Sequence, residues 1–279
     1  MIIRCYGARG SIPVSGREYL KYGGDSTCLE IRTKDDDIII VDAGSGIRRL
    51  GNQLMAEERF NYTVLFTHSH WDHILGFPFF KPLFRDEATI DLKGCPNAQG
   101  NIQKLLSKAM SAPLFPIQFD DLKATLKYDG TCPATFRIGS IEVSTIVLSH
   151  PNAGLGYKFV EDGKVFVFLT DNELRYRHKT GRTFEEYAEF SHNADLLIHD
   201  AEYTPEQYKN TITWGHSTYP DAVELALSAR VSRLGLFHHN QDRKDEDQDE
   251  IVLKCREILE DKRSDIECFA LTQTTELML

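Results

Sequence analysis

The stretch that decides the fold is Thr67-His68-Ser69-His70-Trp71-Asp72-His73, in which three histidines and one aspartate fall within six residues. It follows residues 62–66, an apolar, β-prone run that predicts a buried strand. The first two histidines, two residues apart on an extended chain, point the same way. The aspartate and the third histidine follow where the chain turns, so they can face a second point. The stretch therefore predicts one loop that supplies ligands to two metal ions.

The ligand types in this loop narrow the choice of metal without fixing it. Imidazole and carboxylate groups bind zinc, and they also bind iron or manganese. We expect two divalent ions, with zinc as the first candidate. A polar loop that is rich in histidine by chance is the alternative, but the chain has only ten histidines in 279 residues. The order of the ligands favours a metal site.

The His-x-His-x-Asp-His run resembles the signature of the metallo-β-lactamase superfamily. This resemblance implies an α/β fold, the αββα four-layer sandwich, with a one- or two-metal site at the edges of its sheets. A chain of 279 residues can form one such sandwich. We therefore expect a single hydrolase domain over residues 1–279. Dimerisation is common among proteins of this kind, which leaves a homodimer open.

Composition limits the classes of function. The formal net charge of −10 argues against a general basic surface for nucleic acid, but it permits a small phosphorylated substrate held by metal. The N-terminus lacks the pattern of a signal peptide, and no stretch approaches the ~18 apolar residues of a membrane span. We expect a soluble, cytoplasmic protein without a membrane partner.

The six cysteines contain no Cys-x-x-Cys pair and are expected to be free, mostly buried thiols.

Apolar and alternating runs outline the order of elements. They predict strands at residues 2–6, 28–33, 38–41, 62–66, 141–148, 156–160, 165–169, 196–199 and 234–237, and helices near 47–58, 96–110, 220–230 and 250–261. Residues 35–37 are expected to form a hairpin turn, and the acidic stretch 241–250 a solvated loop. Two prolines in 111–116 predict an irregular segment, plausible as a flap near the site. Arg9, in a glycine-rich loop, is expected either to hold a substrate phosphate or to be an ordinary surface arginine.

Four predicted strands each end at an ionisable residue, namely His150, Asp171, Asp200 and His238. Sheets in α/β proteins commonly place their sites at the carboxyl ends of strands. The recurrence of this pattern after the histidine-rich loop indicates that these residues belong to the same site.

The resemblance implies a role for each of these ligands. It assigns His68, His70 and His150 to the first metal, Asp72, His73 and His238 to the second, and Asp171 to both. Asp72 is counted with the catalytic residues as well. His239 competes with His238 for the last position, and Asp42 is expected to support the metal loop rather than to bind metal. Two such ions lower the pKa of a shared water towards ~7, and the resulting hydroxide is a nucleophile.

A finer resemblance concerns Leu197-Ile198-His199-Asp200-Ala201-Glu202-Tyr203 and Trp214-Gly215-His216-Ser217-Thr218. These segments are similar to the His-Glu-Ala and His-Ser-Thr motifs of the ribonuclease Z and phosphodiesterase branch. The similarity implies that His216 protonates the leaving oxygen and that Asp200 orients it, with Asp in place of the usual Glu. General acid help suits phosphodiesters, whose alkoxide leaving groups are poor. The structural alternative is that residues 215–217 only cap the helix that begins near Pro220.

The spacing between His150 and Asp171 bears on the substrate. Only 20 residues separate them, and a predicted strand pair needs most of these, so no room remains for the tRNA-binding arm that ribonuclease Z enzymes insert there. The spacing and the acidic charge favour a small phosphodiester, such as a cyclic nucleotide, as the substrate. The alternatives are a thioester or lactam hydrolase, a tRNA 3′-processing ribonuclease, and a non-catalytic metal-binding module.

Overall fold

Two mixed β-sheets form the centre of the protein, whose computed structural model describes residues 1–95 and 100–279. Within these residues the first sheet contains β1 (Ile2–Gly7), β2 (Cys28–Arg32), β3 (Ile38–Val41), β4 (Asn61–Leu65), β5 (Thr89–Lys93), β6 (Thr125–Asp129) and β14 (Glu276–Met278). Its strand order is β14-β1-β2-β3-β4-β5-β6. Strands β3 to β6 run parallel to one another, whereas β14, β1, β2 and β3 pair antiparallel.

The second sheet has the same mixed character. It contains β7 (Thr135–Ile138), β8 (Ile141–Val147), β9 (Leu155–Glu161), β10 (Lys164–Leu169), β11 (Leu196–Asp200), β12 (Arg233–Phe237) and β13 (Glu267–Ala270) in the order β13-β12-β11-β10-β9-β8-β7. Strands β10 to β13 are parallel, and β7 to β10 pair antiparallel. Because β8 and β10 both oppose β9, they end at the same edge of the sheet.

Helices cover the outer face of each sheet. The described α-helices are α1 (Ile47–Ala56), α2 (Trp71–Ile74), α3 (Ile102–Ala109), α4 (Phe184–Phe190), α5 (Pro205–Tyr208), α6 (Tyr219–Ala229) and α7 (Asp245–Asp261). Short 3-10 turns lie at Arg17–Tyr19, Phe77–Phe79, Lys81–Phe84 and Phe119–Asp121. No helix among the described residues is long and apolar enough to cross a membrane.

Three clusters of buried apolar side chains define the layers. The central cluster lies between the sheets and includes Ile3 and Leu29 from the first and Phe159 and Phe166 from the second. One outer cluster joins the first sheet to α1 and the 3-10 turns, and the other joins the second sheet to α4, α6 and α7. Each apolar face is thereby removed from water, which is the main driving force for folding. The predicted αββα sandwich is confirmed.

The cysteine prediction is wrong for one pair. Cys95 and Cys132 form a disulfide, with their Cα atoms 4.8 Å apart, whereas the other four cysteines are free and buried as expected. Cys95 follows β5, and Cys132 lies where the chain crosses from the first sheet to the second. The two positions are 37 residues apart, and their proximity depends on the path of β6, which the spacing of cysteines does not reveal.

Two predicted boundaries need further correction, and the structure also gives a contact of the proline-containing segment. The acidic stretch is not all loop, because α7 begins at Asp245, where three acidic residues in the first turn favour a helix N-terminus. The helix predicted at 96–110 is present as α3, and residues 96–99 lie outside the described residues. In the proline-containing segment, the ring of Phe115 packs edge-on against Phe79 at 5.6 Å, so this segment contacts the first sheet's outer layer.

Candidate metal centre

The site lies where strand ends from both sheets meet. The histidine-rich loop follows β4 in the first sheet, and His150, Asp171 and His238 follow β8, β10 and β12 in the second. Hydrogen bonds join the sheets at this edge. The backbone N–H of Leu155 donates to the carbonyl of Thr67 at 2.9 Å, and the hydroxyl of Tyr157 donates to the carbonyl of Phe66 at 2.7 Å. The seven predicted ligands are thus brought to one place.

The first donor set consists of His68, His70, His150 and Asp171, whose ligand atoms all lie within 4.8 Å of one another. The Nδ1 atom of His70 is 3.1 Å from Nε2 of His150. Oδ2 of Asp171 is 3.5 Å from Nε2 of His68 and 3.9 Å from Nε2 of His150. Three imidazoles and one carboxylate oxygen therefore surround a space of the size that a divalent ion needs.

The second donor set consists of Asp72, His73, Asp171 and His238, again within 4.8 Å. Nε2 of His238 is 3.1 Å from Oδ2 of Asp72 and 3.4 Å from Oδ2 of Asp171. Nε2 of His73 is 3.3 Å from Oδ1 of Asp171. Asp171 belongs to both sets, as the resemblance implies for a bridging ligand.

The chemistry of the donors fits metal ions. The Nε2 atoms of His68 and His73 are buried and make no hydrogen bond to the described residues. Burial lowers the pKa of His68 well below its usual range and that of His150 to about 3, which keeps these rings in the neutral form that binds metal. Burial also acts to lower the pKa of His73, but Asp72 and Asp171 outweigh it and raise that pKa. The carboxylates of the second set therefore favour a cation beside them, and divalent metal ions supply that charge.

Hydrogen bonds behind the ligands fix their orientation. Nδ1 of His73 donates to Asp42 at 2.8 Å, and Nδ1 of His238 donates to Glu202 at 2.8 Å. In both rings this leaves Nε2 directed at the donor set, as is usual for histidine ligands. Asp42 also accepts hydrogen bonds from the N–H and hydroxyl of Thr67, so it supports the loop as expected and lies outside both sets.

The structure brings His238, and not His239, to the donor set. Nε2 of His239 donates instead to the carbonyl of Leu271 at 2.8 Å. Gly10 packs directly against the His238 ring, where an added Cβ would lie 2.2 Å from Nδ1.

Neither expectation for Arg9 holds, because its guanidinium is buried and donates to the carbonyls of Gly23, Asn240 and Arg243. Arg9 therefore ties loops together behind the site.

His216 and Asp200 form a buried pair beside the second donor set. Nδ1 of His216 donates to Oδ2 of Asp200 at 2.8 Å, and the His216 ring stacks on His238 with centroids 4.6 Å apart. Burial acts to lower the pKa of His216, but Glu202 and Asp200 outweigh burial and raise it to about 9. Nε2 of His216 makes no hydrogen bond to the described residues, so it is the ring atom free to meet a substrate.

The helix-cap explanation of this segment does not hold. Thr218 is the N-cap of α6, where its side chain accepts a hydrogen bond from the N–H of Asp221. Ser217 instead accepts from the N–H of Leu174 at 3.0 Å, which ties the segment to the loop after β10. His216 and Ser217 are therefore not needed for capping.

Three contributors to the site were missed from the sequence. Glu202 orients His238, the N–H of Ser11 donates to Oδ2 of Asp72 at 2.9 Å, and Glu173 holds the loop that precedes His216. Glu202 and Glu173 each lie two residues after a predicted site residue, Asp200 and Asp171. For Glu202, which follows strand β11, spacing by two is a signal that could have found it. The chain turns at Asp171, which has φ 52°, so the same spacing does not predict Glu173. Ser11 acts through its backbone, which no side-chain pattern shows.

The fold and the two donor sets define a metal-dependent hydrolase. Residues 38–239 match the family described as "Beta-lactamase superfamily domain", and the chain belongs to this family.

The chain is similar in sequence to a ribonuclease Z and shares its fold with solved structures. The ribonuclease Z of Picrophilus torridus is 24% identical over 84% of this chain and 84% of its own length. The metallo-β-lactamase fold protein YhfI from Bacillus subtilis aligns with a TM-score of 0.72 at 16% identity, covering 99% of this chain and 98% of that one. Unliganded yeast PDE1 aligns with a TM-score of 0.69 at 16% identity, covering 100% and 99%. The predicted resemblance to the ribonuclease Z and phosphodiesterase branch is confirmed.

Proposed function

We propose that the protein is a dinuclear-metal phosphodiesterase that cleaves a small phosphodiester such as a cyclic nucleotide. The observation that carries the proposal is the His216–Asp200 pair, 2.8 Å apart, beside two donor sets that share Asp171. Thioester cleavage gives a thiolate leaving group, which needs this acid less than an alkoxide does. The similarity to ribonuclease Z and to yeast PDE1 supports the same reaction type.

In this proposal one group of residues binds the metal ions and another transfers a proton. His68, His70 and His150 would hold one divalent ion, Asp72, His73 and His238 the other, and Asp171 both; zinc is the first candidate. When bound, such a pair lowers the pKa of water and neutralises charge on the phosphoryl oxygens. Asp200 holds Nδ1 of His216, so Nε2 donates the proton to the leaving oxygen. That donation contributes on the order of 10²–10⁴ in rate.

Two features favour a small substrate over tRNA. Residues 150–171, all of which the structure describes, are filled by the antiparallel pair β9 and β10 with a two-residue turn, so no arm protrudes between the ligands. The chain also carries a formal net charge of −10. Trp71 lies between His70 and Asp72 in the sequence, Trp214 lies two residues before His216, and the two are 63% and 61% exposed. Exposed aromatic rings can stack on nucleobases, which is compatible with a nucleotide substrate.

The test is a screen of the metal-loaded protein against bis(p-nitrophenyl) phosphate, cyclic nucleotides, dinucleotides, a tRNA precursor and a glutathione thioester. We expect metal-dependent hydrolysis of the phosphodiesters, abolished by chelation and in Asp171→Ala. Asp162→Ala, at an exposed turn, is the matched control and should retain activity. Full activity after chelation, or turnover of the thioester alone, would overturn the proposal. Cleavage of the tRNA precursor alone would establish the processing ribonuclease suggested by the ribonuclease Z relatives.

A further inference from the structure

A buried carboxylate outside both donor sets holds the loop that precedes His216. The side chain of Glu173 is fully buried. Its Oε1 accepts hydrogen bonds from the hydroxyl of Tyr208 at 2.7 Å and from the N–H of Thr213 at 2.8 Å. Its Oε2 accepts from the N–H of Gly215 at 2.8 Å and from Nε2 of His178 at 2.9 Å. Four donors therefore converge on one carboxylate and occupy both of its oxygens.

The backbone that Glu173 holds is in an unfavourable conformation. Thr213 has φ 77° and Gly215 has φ 94°, so both lie in the left-handed region. A β-branched residue such as threonine rarely adopts positive φ, and such strain persists only where surrounding contacts determine the conformation. The N–H groups of Thr213 and Gly215 donate hydrogen bonds of 2.8 Å to the Glu173 carboxylate, and these are contacts of this kind.

The held loop touches two residues of the site. The carbonyl of Gly215 accepts a hydrogen bond from Nδ1 of His150 at 2.9 Å, which directs Nε2 of that ring at the first donor set. An added Cβ on Gly215 would lie 1.9 Å from the same Nδ1, so the backbone approaches the ring as closely as glycine allows. His216 is the next residue, and its ring lies 5.3 Å from the His150 ring between centroids. The position of the Gly215 peptide therefore determines the orientation of both rings, those of His150 and His216.

We propose that Glu173 is a positioning residue, which holds residues 213–215 and through them orients both the proton-donating His216 and the ligand His150. The kinetic part of this inference rests on the proposed function, and the structural part does not. Glu173 belongs to neither donor set, and its side chain acts on the site through the loop. Groups behind metal ligands typically change metal affinity or activity by about 10- to 100-fold when they are replaced.

The test is Glu173→Gln, which preserves side-chain size, removes the charge and places an amide NH₂ against one pair of donors. By hydrogen exchange and mass spectrometry on the metal-free protein, peptides covering 209–218 should exchange faster than in the wild type. Zinc titration should show weaker binding of one of two ions, by about 10- to 100-fold. In kinetics, kcat for a phosphodiester with an alkoxide leaving group should fall more than kcat for bis(p-nitrophenyl) phosphate, because nitrophenolate needs little protonation.

The matched control is Glu30→Gln in the first sheet. Glu30 is also a fully buried carboxylate, with hydrogen bonds from Arg4, Tyr6 and Arg32, and it is remote from the loop in sequence and sheet. Its replacement should lower stability but leave exchange at 209–218, zinc affinity and the ratio of the two kcat values unchanged. If Glu173→Gln does not fold, Glu173→Asp, which keeps the charge on a shorter side chain, replaces it with the same expected changes.

Two results would overturn the inference. One is unchanged exchange at 209–218 together with unchanged zinc affinity in the folded variant. The other is an equal change in both properties in the Glu30→Gln control. If the wild type hydrolyses no phosphodiester, the proposed function fails, while the exchange and zinc measurements still decide the role of Glu173.

Discussion

His216 is held at one ring nitrogen and free at the other, which is the arrangement that proton donation requires. We expect His216→Ala to lower kcat by about 10²–10⁴ for a phosphodiester with an alkoxide leaving group, because the leaving oxygen then departs unprotonated. The loss should be much smaller for bis(p-nitrophenyl) phosphate. Steady-state kinetics with both substrates, alongside metal analysis, measures the difference.

The matched control for this change is His192→Ala, since His192 is an exposed histidine in the turn after α4. It should leave both rates unaltered. An equal loss on the two substrates in His216→Ala, with both metal ions retained, would mean that His216 binds the phosphoryl group and does not protonate the leaving oxygen.

Gly10 is required because no side chain fits between its backbone and the His238 ring. In Gly10→Ala the new Cβ would lie 2.2 Å from Nδ1 of His238, so the ring must move out of the second donor set. We expect the variant to bind one metal ion in place of two and to lose most activity. Gly130→Ala is the control, because a Cβ there meets nothing within 4 Å. Two tightly bound ions in Gly10→Ala, by elemental analysis after dialysis, would contradict the expectation.

Strands with a local signature were predictable, and those without one were not. The run Ile38–Val41 is buried at every residue, and an unbroken apolar run is what a covered parallel strand requires. The metal ligands at the strand ends were predictable because each comes after such a run. Strand β14 could not be found in this way, because Glu276–Met278 is short and half exposed and becomes a strand only by pairing with β1. The bond between Glu173 and Gly215 depends on tertiary structure, since 42 residues separate them.

Helix α6 begins with a reciprocal cap that stabilises it directly after the segment that contains His216. The Thr218 side chain accepts from the N–H of Asp221, and the Asp221 side chain accepts from the N–H of Thr218. Thr218→Ala should lower the free energy of unfolding by about 1 kcal/mol, the usual contribution of such a cap. Urea denaturation measures it, with Thr180→Ala at an exposed position as the control. Equal midpoints for both variants would show that the cap contributes nothing.

At the scale of the whole molecule, the Cys95–Cys132 disulfide closes a 37-residue segment that leads from the first sheet to the second. Closing a loop of this length stabilises the folded state by about 4 kcal/mol in the chain-entropy description. We expect reductant to lower the urea midpoint of the wild type and to have no effect on Cys132→Ser. Thiol titration of the denatured, unreduced protein should find four thiols, and six would disprove the pairing.

Each donor set takes two ligands from each sheet. His68 and His70 from the first sheet meet His150 and Asp171 from the second, and Asp72 and His73 meet Asp171 and His238. Neither half of the chain can therefore assemble a site alone. Bound ions would hold the two sheets together at the edge where the ligands meet, and any separation of the sheets there would release the ions. Metal occupancy and mechanical opening of that edge are thus linked quantities, and a force that pulls the sheets apart acts on the ions together with the hydrogen bonds from Leu155 and Tyr157.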